Sequence, residues 1–278
     1  MESLPNTDSR TVDGFGDEWT RYNQSELSAE ERATLFQSYF HIFPWECLPK
    51  KAQGFDVGSG SGRWAMEVAK RVSELHCVDA SSGALAVAKR NLANTKNCQF
   101  HLATASELPF ASHTMDFGYS LGVLHHIPDT TAGIRECVRA LKPGAPFLLY
   151  LYYRFDNRPL WYILLWKVSD FFRQGISSLP HALRSFVCKI MAIFVYFPLA
   201  RTSFLLEKLG ISVRVFPLSS YRHCSFYTMQ TDALDRFGTS LEKRFTRAEI
   251  QQMLLAAGLD QIKFSETPPF WCAIGYKK

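Results

Sequence analysis

The chain has 278 residues, 47% of them apolar and 21% charged, with a formal net charge of +5. That supplies a core for one large domain, or for a domain with a substantial insertion, and it excludes a disordered, collagen-like or low-complexity polypeptide. Seven cysteines are scattered without a C-x-x-C pair, so neither a zinc knuckle nor a thioredoxin-type redox site is spelled out, and they read as reduced thiols.

Residues 1–50 read as a helical lead-in whose polar, acidic start lacks the basic and apolar regions of a secretory signal, so residence in the cytoplasm is expected. From 51 to 151, strand and helix signals alternate. GFDVG is a short buried strand, GRWAMEVAKRV a helix, ELHCVDA a second strand and GALAVAKRNLANT a second helix with apolar residues at helical spacing. CQFHLATA, MDFGYSLG and APFLLYLYY follow as strands, with TTAGIRECVRAL as the helix before the last and Pro143-Gly144 closing it. Such alternation predicts a parallel sheet covered by helices on both faces.

Residues 152–237 form an apolar, basic insertion between the fifth strand and the last helix, with ten Lys and Arg against three Asp and Glu over 151–222. Its longest apolar run, Phe186 to Ala200, is 15 residues broken by Lys189 and Pro198, which is short for a bilayer span. In 238–278, Thr246 and Glu249 have the spacing of a capping box, Gly258 is a helix stop, and IKFSETPPFWCAIGYKK reads as two strands that complete the sheet.

The sharpest local signal is Asp56-Val57-Gly58-Ser59-Gly60-Ser61-Gly62 at a strand-to-helix junction. Alternate glycines permit a tight turn with backbone close to a ligand, and a helix N-terminus beside it favours polar or anionic groups. Asp79 ends the next strand, where a carboxylate can accept both hydroxyls of a ribose. A dinucleotide fingerprint needs glycine at position 63, where Arg63 stands.

With that spacing, the segment resembles the class I S-adenosylmethionine-dependent methyltransferases, in the small-molecule branch related to the quinone-biosynthesis enzymes. CVDAS at 77–81, SELPF at 106–110, MDFGYSLGVLHHIPD at 115–129 and RALKPGAPFLL at 139–149 extend the resemblance. It implies a doubly wound α/β fold with a mostly parallel, seven-stranded, Rossmann-like sheet, and S-adenosylmethionine as the cofactor. Carried over by position, Asp56, Gly58, Gly60 and Gly62 hold the cofactor through the turn, Asp79 takes the ribose, and Ala80, Thr104 and Ala105 surround the adenine. Ser120 and Leu121 line the methionine portion. The family's usual acid near the adenine amino group is replaced by Thr104, a departure from the pattern.

Methyl transfer needs alignment of the acceptor and a base only where a proton must leave. His125 and His126 follow the fourth strand, where the family places its acceptor-facing loop, so either is a candidate base or orienter, with His125 closer to the strand end. Tyr22 and Trp19 in the lead-in either shield the sulfonium as part of an N-terminal lid or pin the first helix to the core. Tyr152, Tyr221 and His223 are candidate acceptor contacts. The acceptor is expected to be a small lipophilic or amphiphilic molecule. Residues 152–237 are open to three uses: helix packing, a homodimer contact or a peripheral membrane contact. Nucleic acid is not expected, because the cations are interleaved with bulky aliphatics, and no carboxylate–histidine cluster has metal-ligand spacing. A domain that binds cofactor without turnover, and more remotely an NAD(P) oxidoreductase, are the competing readings.

Overall fold

The computed structural model describes residues 5–24 and 26–278. In chain order its regular elements are α1 (Ser9–Arg21), α2 (Ala29–Phe40), β1 (Gln53–Val57), α3 (Ala65–Val68), β2 (Glu74–Asp79), α4 (Ser82–Asn91), β3 (Cys98–Leu102), β4 (Phe117–Leu121), α5 (Thr130–Ala140) and β5 (Pro146–Tyr150). There follow α6 (Leu160–Ser177), α7 (His181–Met191), α8 (Phe197–Lys208), α9 (Phe226–Gly238), α10 (Arg247–Ala256), β6 (Leu259–Phe264) and β7 (Cys272–Lys277).

The strands form one seven-stranded sheet in the order β3-β2-β1-β4-β5-β7-β6. All neighbours are parallel except β7, which runs antiparallel to both β5 and β6. This is the mostly parallel, doubly wound sheet expected from the sequence. The order reverses between β1 and β4, the place where such sheets open a ligand crevice at the carboxyl ends of their strands.

β4 and β5 are central strands buried on both faces, which is why β5 is apolar throughout and the one hydroxyl of β4 that is not aromatic, Ser120, is bonded inside the sheet. Phe147 and Leu149 of β5 enter one core with Phe55, Val57 and Ile134, while Leu148 and Tyr150 enter the other with Phe40, Phe117 and Tyr119. Across the β1–β4 pair, Gly54 sits opposite Phe117 and Phe55 opposite Gly118. A Cβ on Gly54 would lie 2.3 Å from the Phe117 ring, and one on Gly118 2.2 Å from the Phe55 ring, so each glycine is the space its neighbour's ring occupies.

Two predicted elements differ. The helix expected over GRWAMEVAKRV is only one turn, α3, and the Asn97 side-chain amide donates to Ala69 O and Val72 O, both at 2.9 Å, in the stretch that follows it. The apolar run treated as broken at Pro198 instead lies inside a continuous helix, His181–Lys208, of 28 residues. One wide turn at Ala192–Tyr196 joins α7 to α8, and this local i→i+5 pattern accommodates a proline that has no N–H to give.

The chain divides into two compact units. One holds the sheet, its flanking helices and α1. The other holds Phe155–Ser240 with the residues just before Arg32. Inside the helical unit, α6 and α7 both lie against α9. Ser225 caps α9, its hydroxyl accepting from the Thr228 amide at 3.2 Å, and Glu31 braces that cap: its Oε1 accepts from the Ser225 amide and the Thr228 hydroxyl, each at 2.8 Å.

Candidate functional site

β1 ends at Val57 and the chain turns at once through three glycines with φ of +76, +53 and +78° at Gly58, Gly60 and Gly62. These are left-handed conformations that a side chain opposes. A Cβ on Gly58 would meet Val123 at 2.2 Å, one on Gly60 the indole of Trp19 at 2.9 Å, and one on Gly62 Leu92 at 2.9 Å. The turn is therefore fixed by packing on three sides.

Its amides are used internally. Gly58 and Ser59 both donate to Val78 O at 2.8 and 3.0 Å, Gly62 donates to Ser59 O at 2.8 Å, and Gly60 donates to Asp79 Oδ2 at 2.9 Å. The sequence suggested a helix N-terminus whose free amides would receive an anion. A one-turn α3 and committed amides instead make these glycines a shaped backbone surface.

Asp79 stands at the end of β2, its Oδ1 accepting from the Ser81 amide at 2.9 Å. Burial raises its pKa, and the amides of Ser81, Gly60 and Ala80 oppose that rise. Asp56 is buried one strand away and makes no hydrogen bond of good geometry. Burial pushes its carboxyl up to about 8, the Tyr119 hydroxyl on β4 offsets part of the rise, and the Asp79 charge adds to it. A buried carboxyl at Asp56 and a half-buried one at Asp79 beside a glycine cradle fit a cofactor that carries hydroxyls and an ammonium.

The remaining predicted cofactor residues sit around the carboxyl ends of β2, β3 and β4. Ala80 and Ala105 are half-buried, Thr104 is buried with its hydroxyl accepting from the Ser106 amide at 3.3 Å, and Leu121 is buried at the end of β4. Ser120 is turned inward and donates to Val57 O at 3.0 Å, so its hydroxyl ties β4 to β1.

Four contacts bring the N-terminal segment over these loops. The Asn6 side chain donates to Ser106 Oγ at 2.7 Å and to Asp129 O at 2.9 Å, and it accepts from the Asp129 amide. Phe15 meets the ring of His126 edge-on at 5.1 Å, Gly16 lies against Ser81, and Trp19 covers Gly60. Tyr22 is buried as the residue that ends α1.

His125 and His126 occupy a short 3-10 turn after β4. His126 Nδ1 is 2.6 Å from Leu241 O; a carbonyl only accepts, so that nitrogen carries the proton. His125 is fully buried, neither ring nitrogen is hydrogen-bonded among the described residues, and the ring stacks on Tyr152 at 4.0 Å. Burial, then the nearby His126 and Arg244, hold its pKa well below the usual range, so it is neutral. Tyr221 and His223 belong to the helical unit, where Tyr221 donates to Asp232 at 2.6 Å and His223 pairs with Glu207 at 2.9 Å.

Sequence reasoning did not find Val123, which wedges under Gly58, or Asn91, whose amide bonds to both Asn23 O and Ser61 O at 2.9 Å and so ties the lead-in to the turn. Asn91 ends α4 and carried the ordinary signal of a helix-terminal asparagine.

Residues 55–149 match the family described as "Methyltransferase domain". This segment is a domain of the S-adenosylmethionine-dependent methyltransferase class, and S-adenosylmethionine is the cofactor of that class. Among its relatives, a Caenorhabditis elegans phosphoethanolamine N-methyltransferase 2 is 32% identical over 100 residues, covering 35% of this chain and 23% of the relative. A demethylmenaquinone methyltransferase of Staphylococcus aureus is 32% identical over 99 residues, covering 34% of this chain and 41% of the relative. The chain thus matches less than half the length of these curated relatives. A solved structure of Haemonchus contortus phosphoethanolamine N-methyltransferase 2 with S-adenosyl-L-methionine aligns over 93% of this chain and 43% of that one, at 16% identity and a TM-score of 0.49.

Proposed function

We propose that the whole chain is an S-adenosylmethionine-dependent methyltransferase that methylates oxygen or carbon of a small lipophilic or amphiphilic acceptor. The observation that carries this reading is the glycine turn closed by Asp79, which joins a shaped backbone to a half-buried carboxylate at the point where the strand order reverses. When bound, S-adenosylmethionine supplies an electrophilic methyl group on a positively charged sulfur. Asp79 would take the ribose hydroxyls and Asp56 would balance the ammonium. Ala80, Thr104, Ala105 and Leu121 would enclose the adenine and methionine portions, and Trp19 and Tyr22 would exclude water.

Of the two histidines, His125 is the better base. Its neutral ring makes no hydrogen bond among the described residues and lies nearer the end of β4, whereas His126 gives its Nδ1 proton to Leu241 O, which leaves Nε2 as an acceptor and makes it the second candidate. A base matters only for an acceptor that loses a proton, such as a phenol or an acidic carbon. The lipophilic character of the acceptor is supported by the apolar, basic composition of residues 152–237.

Calorimetric titration of the purified protein with S-adenosylmethionine, S-adenosylhomocysteine and NADH, followed by assay of S-adenosylhomocysteine production with quinols, phenols and polar metabolites, tests the reading. Binding of the first two cofactors and turnover with lipophilic acceptors are expected. Cofactor binding without turnover on any acceptor would establish a binding protein on this fold, and binding of NADH alone would overturn the assignment.

A further inference from the structure

Two helices of the second unit, α6 and the α7–α8 helix, turn many of their large apolar side chains outward, while α9 buries Met229, Leu234 and Phe237. On α6, the exposed residues include Trp161, Leu164, Leu165, Val168, Phe171 and Phe172, with Leu164 62% and Phe171 75% exposed. Its inward side carries Tyr162 and Trp166, whose rings meet Phe155, and the buried Arg173, which donates to Asp170 Oδ1 at 2.6 Å and to Thr239 O at 3.2 Å. The long helix through α7 and α8 repeats the pattern. It buries Ser185, Cys188, Ala192, Tyr196, Ala200 and Ser203 at helical spacing, mostly small residues, and exposes Phe186 (60%) and Phe194 (73%) with Leu183, Ile190 and Phe197.

Water alone selects the opposite arrangement, with large apolar residues inside. Small residues at the helix contact and large ones outside is the arrangement that hydrocarbon surroundings favour. Both helices lie against α9, so the large side chains are those not needed to hold the unit together.

Charge separates the possible occupants. Lys167 is three residues from Leu164 and four from Phe171, and Lys189 is three from Phe186 and four from Ile193, so both flank the apolar faces with stems long enough to snorkel. Over 160–208 there are six Lys and Arg and two Asp and Glu. Those two acids are already paired, Asp170 with Arg173 and Glu207 with Arg222 and His223. A second copy of the chain would bring cations to the contact with no available carboxylate, whereas anionic headgroups supply the missing charge.

The 28-residue helix is long and apolar enough to cross a membrane by length and composition, and only 22% of its apolar window is buried. Its packing partner α9 carries Asp232, Asp235 and Arg236, which a crossing helix would drag into hydrocarbon.

We propose that α6 and the α7–α8 helix form a lipid-binding face that lies in the plane of an anionic bilayer, with their phenylalanines and leucines below the headgroups and Lys167 and Lys189 among the phosphates. This concerns the helical unit alone and holds whatever acceptor the other unit serves. The test is flotation of the full-length protein with phosphatidylcholine vesicles and with vesicles also containing phosphatidylglycerol, at low and high salt.

Binding to the anionic vesicles, weakened by salt, is expected. Phe171→Ser combined with Phe194→Ser should reduce the bound fraction by about tenfold or more, as loss of buried apolar area predicts. Lys167→Glu with Lys189→Glu should abolish the preference for phosphatidylglycerol. All four positions border solvent, so far-ultraviolet circular dichroism and S-adenosylmethionine titration of the variants should match the parent, which separates this outcome from failure of the cofactor site. Absence of flotation overturns the proposal. So does flotation indifferent to the phenylalanine substitutions, or a lipid-free dimer that they dissociate while flotation is unchanged.

Discussion

Asp79 Oδ2 accepts a hydrogen bond from the Gly60 amide at 2.9 Å, so the residue that ends the second strand also holds the turn that follows the first. The other oxygen holds the Ser81 amide at the start of α4. Replacing Asp79 by Ala removes both anchors and the proposed ribose acceptor. We expect S-adenosylmethionine affinity to fall by about 1.5–3 kcal/mol, the range for hydrogen bonds to a charged group. Calorimetric titration of the folded variant measures it, and an unchanged affinity would place the ribose elsewhere.

Gly60→Ala tests shape separately from charge. The backbone at φ +53° opposes a side chain, and the new Cβ would lie 2.9 Å from Trp19 Nε1. The backbone part costs about 1–2 kcal/mol. Adding Trp19→Ala should relieve the clash and leave the backbone strain, so the double variant should be less destabilised than the two single effects combined. A double-mutant cycle on urea unfolding reads that coupling. Strict additivity would mean that the indole does not pack on the turn.

The buried Asp56 carboxyl, with its pKa pushed up to about 8 from 3.8, gives a pH dependence of known sign. Between those values the folded protein keeps a proton that the unfolded chain has released. Stability from this group is therefore fully present below the lower pKa and is lost as pH rises towards the upper one. Asp56→Asn should flatten the fall in unfolding free energy between about pH 5 and pH 8. Binding of a cationic ligand beside Asp56 should release a proton near neutrality, seen as a buffer-dependent binding heat that the Asn variant lacks.

Much of this architecture could be read from the chain because its signals are local. The glycine turn, Asp79 at a strand end and the Thr246–Glu249 capping box each lie within a few residues of what they organise, and the capping box forms as expected. What escaped detection depends on distant partners. Asn97 bonds the carbonyls that follow α3, Asn91 reaches Asn23, and Pro198 is absorbed by a wide turn that no propensity signals. Ser120 carried a family position but spends its hydroxyl on β1.

Glu31 shows the same limit and yields a prediction. It reads as an ordinary acid in the first turn of α2, yet it holds Ser225 and Thr228 at the start of α9, almost two hundred residues later. Glu31→Ala should destabilise the helical unit by about 1.5–3 kcal/mol, the range for hydrogen bonds to a charged group. Hydrogen exchange should show faster exchange in α9 with the strand amides unchanged. Uniform loosening of both units would contradict a local role.

His125 and His126 are adjacent and chemically identical in the sequence, and only their partners separate them. His126 donates to Leu241 O, so His126→Ala removes a buried hydrogen bond and should cost about 1–2 kcal/mol of stability. His125 makes no such bond and rests on the Tyr152 ring. His125→Phe keeps a ring on Tyr152 while deleting both nitrogens, so the melting temperature and cofactor affinity should stay near those of the parent. If His125 removes a proton from the acceptor, kcat should fall by about 10²–10⁴-fold. Its low pKa puts the wild-type ring in the basic form throughout the neutral range, so the parent's rate should show no His125 titration between about pH 6 and pH 8. A Phe variant with full turnover on a proton-losing acceptor would assign the stack a packing role alone and shift the base to another group.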